Sequence, residues 1–304
     1  MEIRGKTDDN ETTTYCDREH EAGSDTVGDG RQTSKEPEQE ARDKRYRELL
    51  LSPIRTCAEY LPKMGGSEGI DVKKFVELYQ SDPLYHWMGF DSSLMFAAHK
   101  AAGGMTSLYR QLGIGVERLF RHILMDSFGL TEDQANWSYD YTKSNGSTAT
   151  RYLDGRLDCN TIKSVCAGRE KIVSEWVNDV RDRLGIKASL RGVVFEVREG
   201  YKSADSKRQN ADLENLAQSL KHSYLMTMVL MSLQINETVR RRYQENGLLV
   251  LTGDASSMDP VESSFAFLKQ IAGYDIIAFF ERNTELLKNE TTNMLERLLS
   301  KGDY

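Results

Sequence analysis

Cysteine, proline, tryptophan and histidine are all scarce in this chain: 4, 5, 3 and 5 residues among 304. Cys16, Cys57, Cys159 and Cys166 are widely spaced and form no CxxC pair. That excludes a disulfide-stapled small domain and a zinc ribbon, and four free thiols are expected. Cys16 and His20 have the spacing of half a zinc site, but no second half lies nearby. His20, His86, His99, His122 and His222 form no HExxH or clustered pattern, so a histidine-built metal or proteolytic site is excluded. No GxxxxGK[ST] loop occurs, which removes the P-loop ATPases, and Gly113-Ile114-Gly115 completes no dinucleotide fingerprint. No apolar run approaches the roughly 18 residues of a membrane span. The first twenty residues hold no apolar stretch of the signal-peptide kind, so a cytoplasmic location is expected.

What is present is a balanced globular composition: 39% apolar and 29% charged residues. A chain of this length can bury a large core. The net charge of −7 argues at first against a nucleic-acid partner, but its placement removes the objection. Residues 1–40 contain 12 acidic and 5 basic side chains, so the remainder is neutral. A neutral body can bind DNA where its cations face one cleft. Residues 1–37 have almost no large apolar side chains and are expected to form a disordered acidic tail. This tail either solvates the protein or competes with DNA for a cleft.

Helical spacing starts near Glu38, with Leu49, Leu50, Ile54 and Tyr60 on one face. Further helices are expected over 71–80, 91–104 and 105–127, the last two separated by Gly103-Gly104. Residues 38–130 thus read as a helical region packed on a core that spans 131–304. Residues 136–142 and 149–159 read as paired strands joined through Asn145-Gly146. Then come a helix at 168–184, a strand at 190–198 and a helix at 204–221. A fully buried strand follows at 224–233, then a helix at 237–246, a strand at 247–252 and a helical end at 275–300. This order predicts an α/β or α+β core with a mixed central sheet flanked by helices.

Residues 193–212, VVFEVREGYKSADSKRQNAD, carry the chemistry. Strand alternation puts Val194, Glu196 and Arg198 on one face, and Val193, Phe195 and Val197 on the other. The same alternation in 152–158 groups Tyr152, Asp154, Arg156 and Asp158. Two neighbouring strands would then bring Asp154 beside Glu196. Carboxylates without His or Cys suit Mg²⁺, which prefers oxygen and keeps several waters. Such an ion neutralises charge developing on a phosphodiester. The plain alternative is that Glu196 and Arg198 form an ion pair on an edge strand. Beyond Gly200, Tyr201, Lys202, Ser203, Ser206, Lys207, Arg208, Gln209 and Asn210 make a dense set of side chains able to grip phosphates and read bases. A helix start here would also offer backbone N–H groups to an anion. Arg240-Arg241-Arg242 either touch a DNA backbone or form a solvated helix face.

The strand Glu196-Val197-Arg198, followed by Gly200-Tyr201-Lys202-Ser203 and by Asp205 through Asp212, resembles type II restriction endonucleases of the PD-(D/E)xK superfamily, in particular the ApaLI-like group. The likeness runs roughly over residues 90–300 and includes the TSLYRQLG helix, the LDGR strand and the GYDIIAFFERN end. It implies a restriction-endonuclease-like fold and a homodimer that uses Mg²⁺ to cut both strands of double-stranded DNA at a short palindrome. A cognate DNA methyltransferase would act in the same system without being a stable subunit. By the resemblance Asp154 is the first metal-binding acid and Glu196 the second, with Asp158 as the substitute first acid and Glu117 as an additional acid. Arg198 stands where the superfamily usually carries Lys. Arginine cannot act as a base near neutral pH, and Lys202 is the alternative ammonium. Three rivals remain: a structure-specific repair or recombination nuclease of the same superfamily, a DNA-binding protein that has lost the chemistry, and an interaction protein with an acidic tail.

Overall fold

The structure is a computed structural model and describes residues 35–143, 145–201 and 205–299. The expected tail lies outside that range except for residues 35–37, which belong to the first helix. That helix, α1 (Lys35–Arg55), buries Tyr46, Leu50, Leu51 and Ile54. A 3-10 turn at Thr56–Glu59 follows. The short helices α2 (Val72–Gln80) and α3 (Pro83–Trp87) are each capped by an aspartate, Asp71 and Asp82, which accepts backbone N–H groups of the first turn.

The long helix α4 (Ser93–Phe128) corrects the expected break at Gly103-Gly104. The two glycines are sites of close approach. A Cβ on Gly103 would collide with the Tyr60 hydroxyl, and one on Gly104 would lie 2.5 Å from Leu298 Cδ1. Packing against the chain around α4 outweighs the helix cost of glycine, about 1 kcal/mol each. Gly115 works the same way against α1, where a Cβ would meet Leu50 O at 2.6 Å. Gly129, at φ 65°, ends the helix in the left-handed conformation that glycine favours.

After α5 (Glu132–Ala135) comes the hairpin of β1 (Trp137–Thr142) and β2 (Thr148–Leu153), paired antiparallel as the Asn145-Gly146 turn predicts. The strand expected over 149–159 is in fact two. β2 ends at Leu153, and β3 (Gly155–Asp158) starts one residue later in a different sheet. Asp154 is the hinge between them. Then follow α6 (Cys159–Val165), α7 (Arg169–Arg183), β4 (Gly192–Arg198), α8 (Ser206–Lys221) and β5 (Tyr224–Leu230). The chain closes with α9 (Glu237–Glu245), β6 (Leu249–Leu251), α10 (Ser264–Gln270) and α11 (Ile276–Leu299).

The main sheet has the order β3-β4-β5-β6. β3 is antiparallel to β4, while β4, β5 and β6 run parallel, so the protein is a mixed α+β fold with a small mixed sheet flanked by helices. Crossover helices α8 and α9 satisfy the need of parallel strands for long connections. One face of the sheet (Val193, Phe195, Val197, Leu225, Val229, Leu251) packs on α4, α7, α10 and α11. There Phe195 sits between Phe120 and Phe267, with ring centroids 5.1 and 5.4 Å away. Its complete burial contributes about 1.5–3 kcal/mol. The other face (Val194, Tyr224, Met226, Met228, Leu230) packs on the β1–β2 hairpin, α8 and α9. β4 is therefore interior over Gly192–Phe195, while at Glu196 and Arg198, beyond the end of β3, it pairs only with β5.

Among the described residues no helix is long and apolar enough to cross a membrane. Cys57 and Cys159 are free thiols. Cys166 is disulfide-bonded, a correction to the expected free thiol, since spacing in sequence does not reveal which sulfurs meet in space. Large apolar side chains stay exposed on α3 and the first part of α4: Leu84, Trp87, Met88 and Leu94, with Trp87 80% accessible.

Candidate active site

Asp154 and Glu196 are brought together by the start of the β3–β4 ladder. Asp154 donates its N–H to Phe195 O at 2.9 Å, and its Oδ2 accepts the Val197 N–H at 2.7 Å. The two residues flanking Glu196 thus hold the aspartate against it. The hinge at Asp154 makes this possible, because leaving β2 frees the side chain to turn back onto β4. The alternation expected through 152–158 is replaced by this hinge: Tyr152 is exposed and Asp158 is buried.

Helix α4 supplies two more groups. Arg121 Nε donates to Asp154 O at 2.8 Å, and its Nη2 donates to Glu117 Oε1 at 2.7 Å. Arg121 therefore ties Glu117 to the Asp154 turn. From the other side, Arg198 Nη2 lies 3.0 Å from Glu196 Oε1 and 2.6 Å from Asp212 Oδ1 of α8. Four carboxylates, Glu117, Asp154, Glu196 and Asp212, stand against two guanidiniums, Arg121 and Arg198.

This imbalance governs the ionisation. Burial, then repulsion from Glu196 and Glu117, pushes the Asp154 carboxyl well above its ordinary range, against the Val197 N–H and Arg121. Glu196 is also raised, first by burial and then by Asp212 and Glu117, although the neighbouring Arg198 opposes the shift. Burial works against the charge of Arg198, but Glu196 and Asp212 outweigh it, so its pKa rises. Two coupled carboxyls with raised pKa values mark a place where a cation would relieve the repulsion. Among the described residues no three His, Cys, Asp or Glu side chains are gathered as a finished metal cluster. The donors in hand are two oxygen ligands, Asp154 and Glu196, a set that fits an ion keeping most of its waters.

The other expected residues are placed as follows. Asp158 is at the far end of β3, about 13 Å along the strand from Asp154. There it caps α6 through the Thr161 N–H at 2.9 Å and accepts the Tyr224 hydroxyl at 2.8 Å. Asp158 is thus a structural acid, which corrects its use as a substitute metal ligand. Lys202 and Ser203 lie outside the described residues. Tyr201 is buried, its ring 4.7 Å from the Arg198 guanidinium. Gln209 is buried and accepts from Arg242 Nη1 at 2.9 Å, while Asn210 Oδ1 accepts from Arg242 Nη2 at 2.7 Å. In this conformation Arg242 therefore occupies both amide oxygens. Ser206, Lys207 and Arg208 are exposed in the first turn of α8. The free N–H groups expected at that helix start are partly taken: Asp205 Oδ1 accepts from Lys207 N at 2.9 Å and from Arg208 N at 3.4 Å.

Sequence reasoning missed Arg121, Asp212 and Tyr243 as members of this centre. Asp212 carried no signal in the sequence, because its inward orientation and burial are set by what packs on its helix. No protein-family model, curated protein or solved structure matches this chain.

Proposed function

We propose that the protein is a Mg²⁺-dependent endonuclease that hydrolyses phosphodiester bonds of double-stranded DNA at a short palindromic site, built on a restriction-endonuclease-like core. One observation carries this reading: Asp154 is hydrogen-bonded to both neighbours of Glu196, so a carboxyl from the hinge before β3 and one from β4 are held together at raised pKa. Asp154 and Glu196 would hold the ion. When bound, Mg²⁺ supplies positive charge that offsets carboxylate repulsion and charge building on the phosphate. Arg121 fixes the turn that presents Asp154. Arg198 brings a permanent positive charge for a phosphoryl oxygen but offers no base near neutral pH. Exposed Lys207 and Arg208 would contact the DNA backbone.

A palindrome requires a two-fold pair of active sites, hence a homodimer. The exposed face of Leu84, Trp87, Met88 and Leu94 suits a second copy of this chain. Its four named side chains are apolar, and an aromatic alone can bury about 150–250 Å² of the roughly 800 Å² that each partner of a stable complex covers.

A second reading, a DNA-binding protein without cleavage, draws on one observation: Arg198 is already paired with Glu196 and Asp212, as in a purely structural ion network. Supercoiled plasmid incubated with and without Mg²⁺ separates the two. Discrete linear fragments from the wild type, absent with Glu196→Ala, support the restriction reading. Cleavage that follows DNA structure and not sequence identifies the repair or recombination relative. Binding without cleavage in Mg²⁺ or Mn²⁺ favours the binding protein, and no binding at low salt removes every nucleic-acid reading.

A further inference from the structure

We propose that Asp212 is the positioning residue of Arg198: it pins one arm of the guanidinium so that the other, Nη1, is presented to a phosphoryl oxygen. The proposal rests on the reading of Asp154 and Glu196 as a phosphodiester-cleaving centre, and it explains how an arginine serves there.

Asp212 is 1% exposed, on the face of α8 that packs under the sheet. A carboxylate at that depth is stable only when both oxygens are engaged. Oδ1 accepts Arg198 Nη2 at 2.6 Å. Oδ2 accepts the Tyr243 hydroxyl in a short hydrogen bond and the Tyr201 hydroxyl at 3.4 Å, and the two hydroxyls lie 3.0 Å apart. Asp212 is thus held by α9, by the residue beyond β4 and by its own helix.

Arg198 is correspondingly constrained. Its Nη2 serves Asp212 and Glu196 together, and its plane is supported by the Tyr201 ring at 4.7 Å. Gly200 permits the tight path behind it, since a Cβ there would lie 2.8 Å from Ser232 Oγ. Tyr201 is anchored on the neighbouring chain segment, donating its N–H to Gln234 O at 2.7 Å. The remaining arm differs: Arg198 Nη1 is buried without a hydrogen-bond partner among the described residues. A charged N–H group left without an acceptor is costly, and an oxygen brought by a ligand removes that cost. Glu196 is on the same guanidinium, so an oxyanion accepting from Nη1 would sit beside the carboxyl pair. A lysine, with one ammonium on a flexible stem, could not divide its donors in this fixed way.

The test uses the full chain in six forms: wild type, Asp212→Asn, Arg198→Lys, the double variant of these two, Asp212→Glu and Tyr243→Phe. Single-turnover plasmid cleavage is expected to fall on the order of 100-fold in Asp212→Asn, with KM changed less than about threefold, because Asp212 acts through Arg198 on the transition state. In the Arg198→Lys background the same substitution should cost less than about threefold. Asp212→Glu, which keeps the carboxylate, should recover part of the rate, and Tyr243→Phe should give an intermediate loss. ¹⁵N-arginine NMR reads positioning without activity. Arg198, identified by its absence in Arg198→Lys, should show separate, slowly rotating Nη signals that merge in Asp212→Asn. Inorganic phosphate should shift one of them in the wild type only. Fully multiplying losses in the double variant, or Nη signals and phosphate response unchanged in Asp212→Asn, would overturn the proposal. If the wild type never cleaves DNA, the nuclease reading falls, and the NMR and phosphate arms still decide the role of Asp212.

Discussion

Replacing Asp154 by Asn should stabilise the protein while removing its activity. The reasoning starts from charge. Asp154 is buried, and its carboxyl is raised by burial and by Glu196 and Glu117. A carboxyl whose pKa is raised by folding holds its proton more tightly in the native state. Its contribution to stability is full below the ordinary Asp value of 3.8 and is lost as pH rises through the folded pKa. Glu196, also raised, has the same sign. At neutral pH the pair is a liability that Asn removes. The hydrogen bond from Val197 N–H, 2.7 Å in the native protein, survives because the amide oxygen accepts equally well.

The expected gain is about 1 kcal/mol, typical for relief of a functional-site compromise. For a chain of this size that raises Tm by about 1.5–2 °C. Thermal unfolding of wild type and Asp154→Asn at pH 4, 5.5, 7 and 8.5 measures it. The two should melt together at the acid end and separate as pH rises. Added Mg²⁺ should close and then reverse the gap by stabilising the wild type alone, by about 2.7 kcal/mol at 100 times its Kd. A gap that does not change with pH, a less stable variant, or equal Mg²⁺ stabilisation of both proteins would refute the charge argument.

Asp158→Ala should cost about 2–3 kcal/mol in urea unfolding, from the lost α6 cap and the stranded Tyr224 hydroxyl, while cleavage by the folded protein persists. Burial raises that carboxyl, but Thr161, Tyr224 and Arg191 outweigh it, so its pKa is lowered. Its stabilisation should therefore fade as pH drops through the folded pKa. Gly115→Ala should destabilise by about 1–3 kcal/mol despite the better helix propensity of alanine, because its Cβ would meet Leu50 O at 2.6 Å; a stabilised variant would contradict the close helix crossing. Lys207→Ala with Arg208→Ala should weaken DNA binding and lower the slope of log K against log salt by about 0.9 for each phosphate no longer neutralised, and an unchanged slope would remove them from the interface. Trp87→Asp with Leu94→Asp should convert a dimer to a monomer in sedimentation equilibrium; a wild type that is already monomeric at micromolar concentration would dismiss that face.

Much of the fold was legible because its signals are local. The Asn145-Gly146 turn gave the hairpin, the nearly continuous apolar run at 224–233 gave a strand buried on both faces that ends earlier, at Leu230, and Gly129 gave the end of α4. The misread features depend on partners distant in sequence. Gly103 and Gly104 look like breakers until Tyr60 and Leu298 are seen pressing on them. The change of sheet at Asp154 leaves no trace in an alternating sequence, because β2 and β3 alternate equally well in one strand or two. For the site, strand neighbourhood placed Asp154 beside Glu196, and the structure has Asp154 hydrogen-bonded to both neighbours of Glu196, from a hinge and not from a strand. Asp158 was equally eligible by alternation and is excluded only by its cap on α6 and its bond to Tyr224. Arg121 and Asp212 were out of reach because helix faces, unlike strand faces, are fixed only by what packs on them.

The same contrast explains why the polar segment after Gly200 divides as it does. Its side chains look equivalent in sequence, yet helix geometry separates them into an outward group, Ser206, Lys207 and Arg208, and an inward group, Gln209 and Asp212. The inward group has no water to satisfy it and so recruits arginines: Arg242 for Gln209, Arg198 for Asp212. An arginine at position 198 then follows from the helix that faces it as much as from the strand that bears it. A buried carboxylate on α8 and a second one on β4 need a cation with several donors in one plane. Guanidinium meets that demand, and an ammonium of the same reach meets it less well. The chemistry assigned to Glu196 and Arg198 is in this sense a property of the β4–α8 pair, and substitutions on α8 should be read as changes to the site itself.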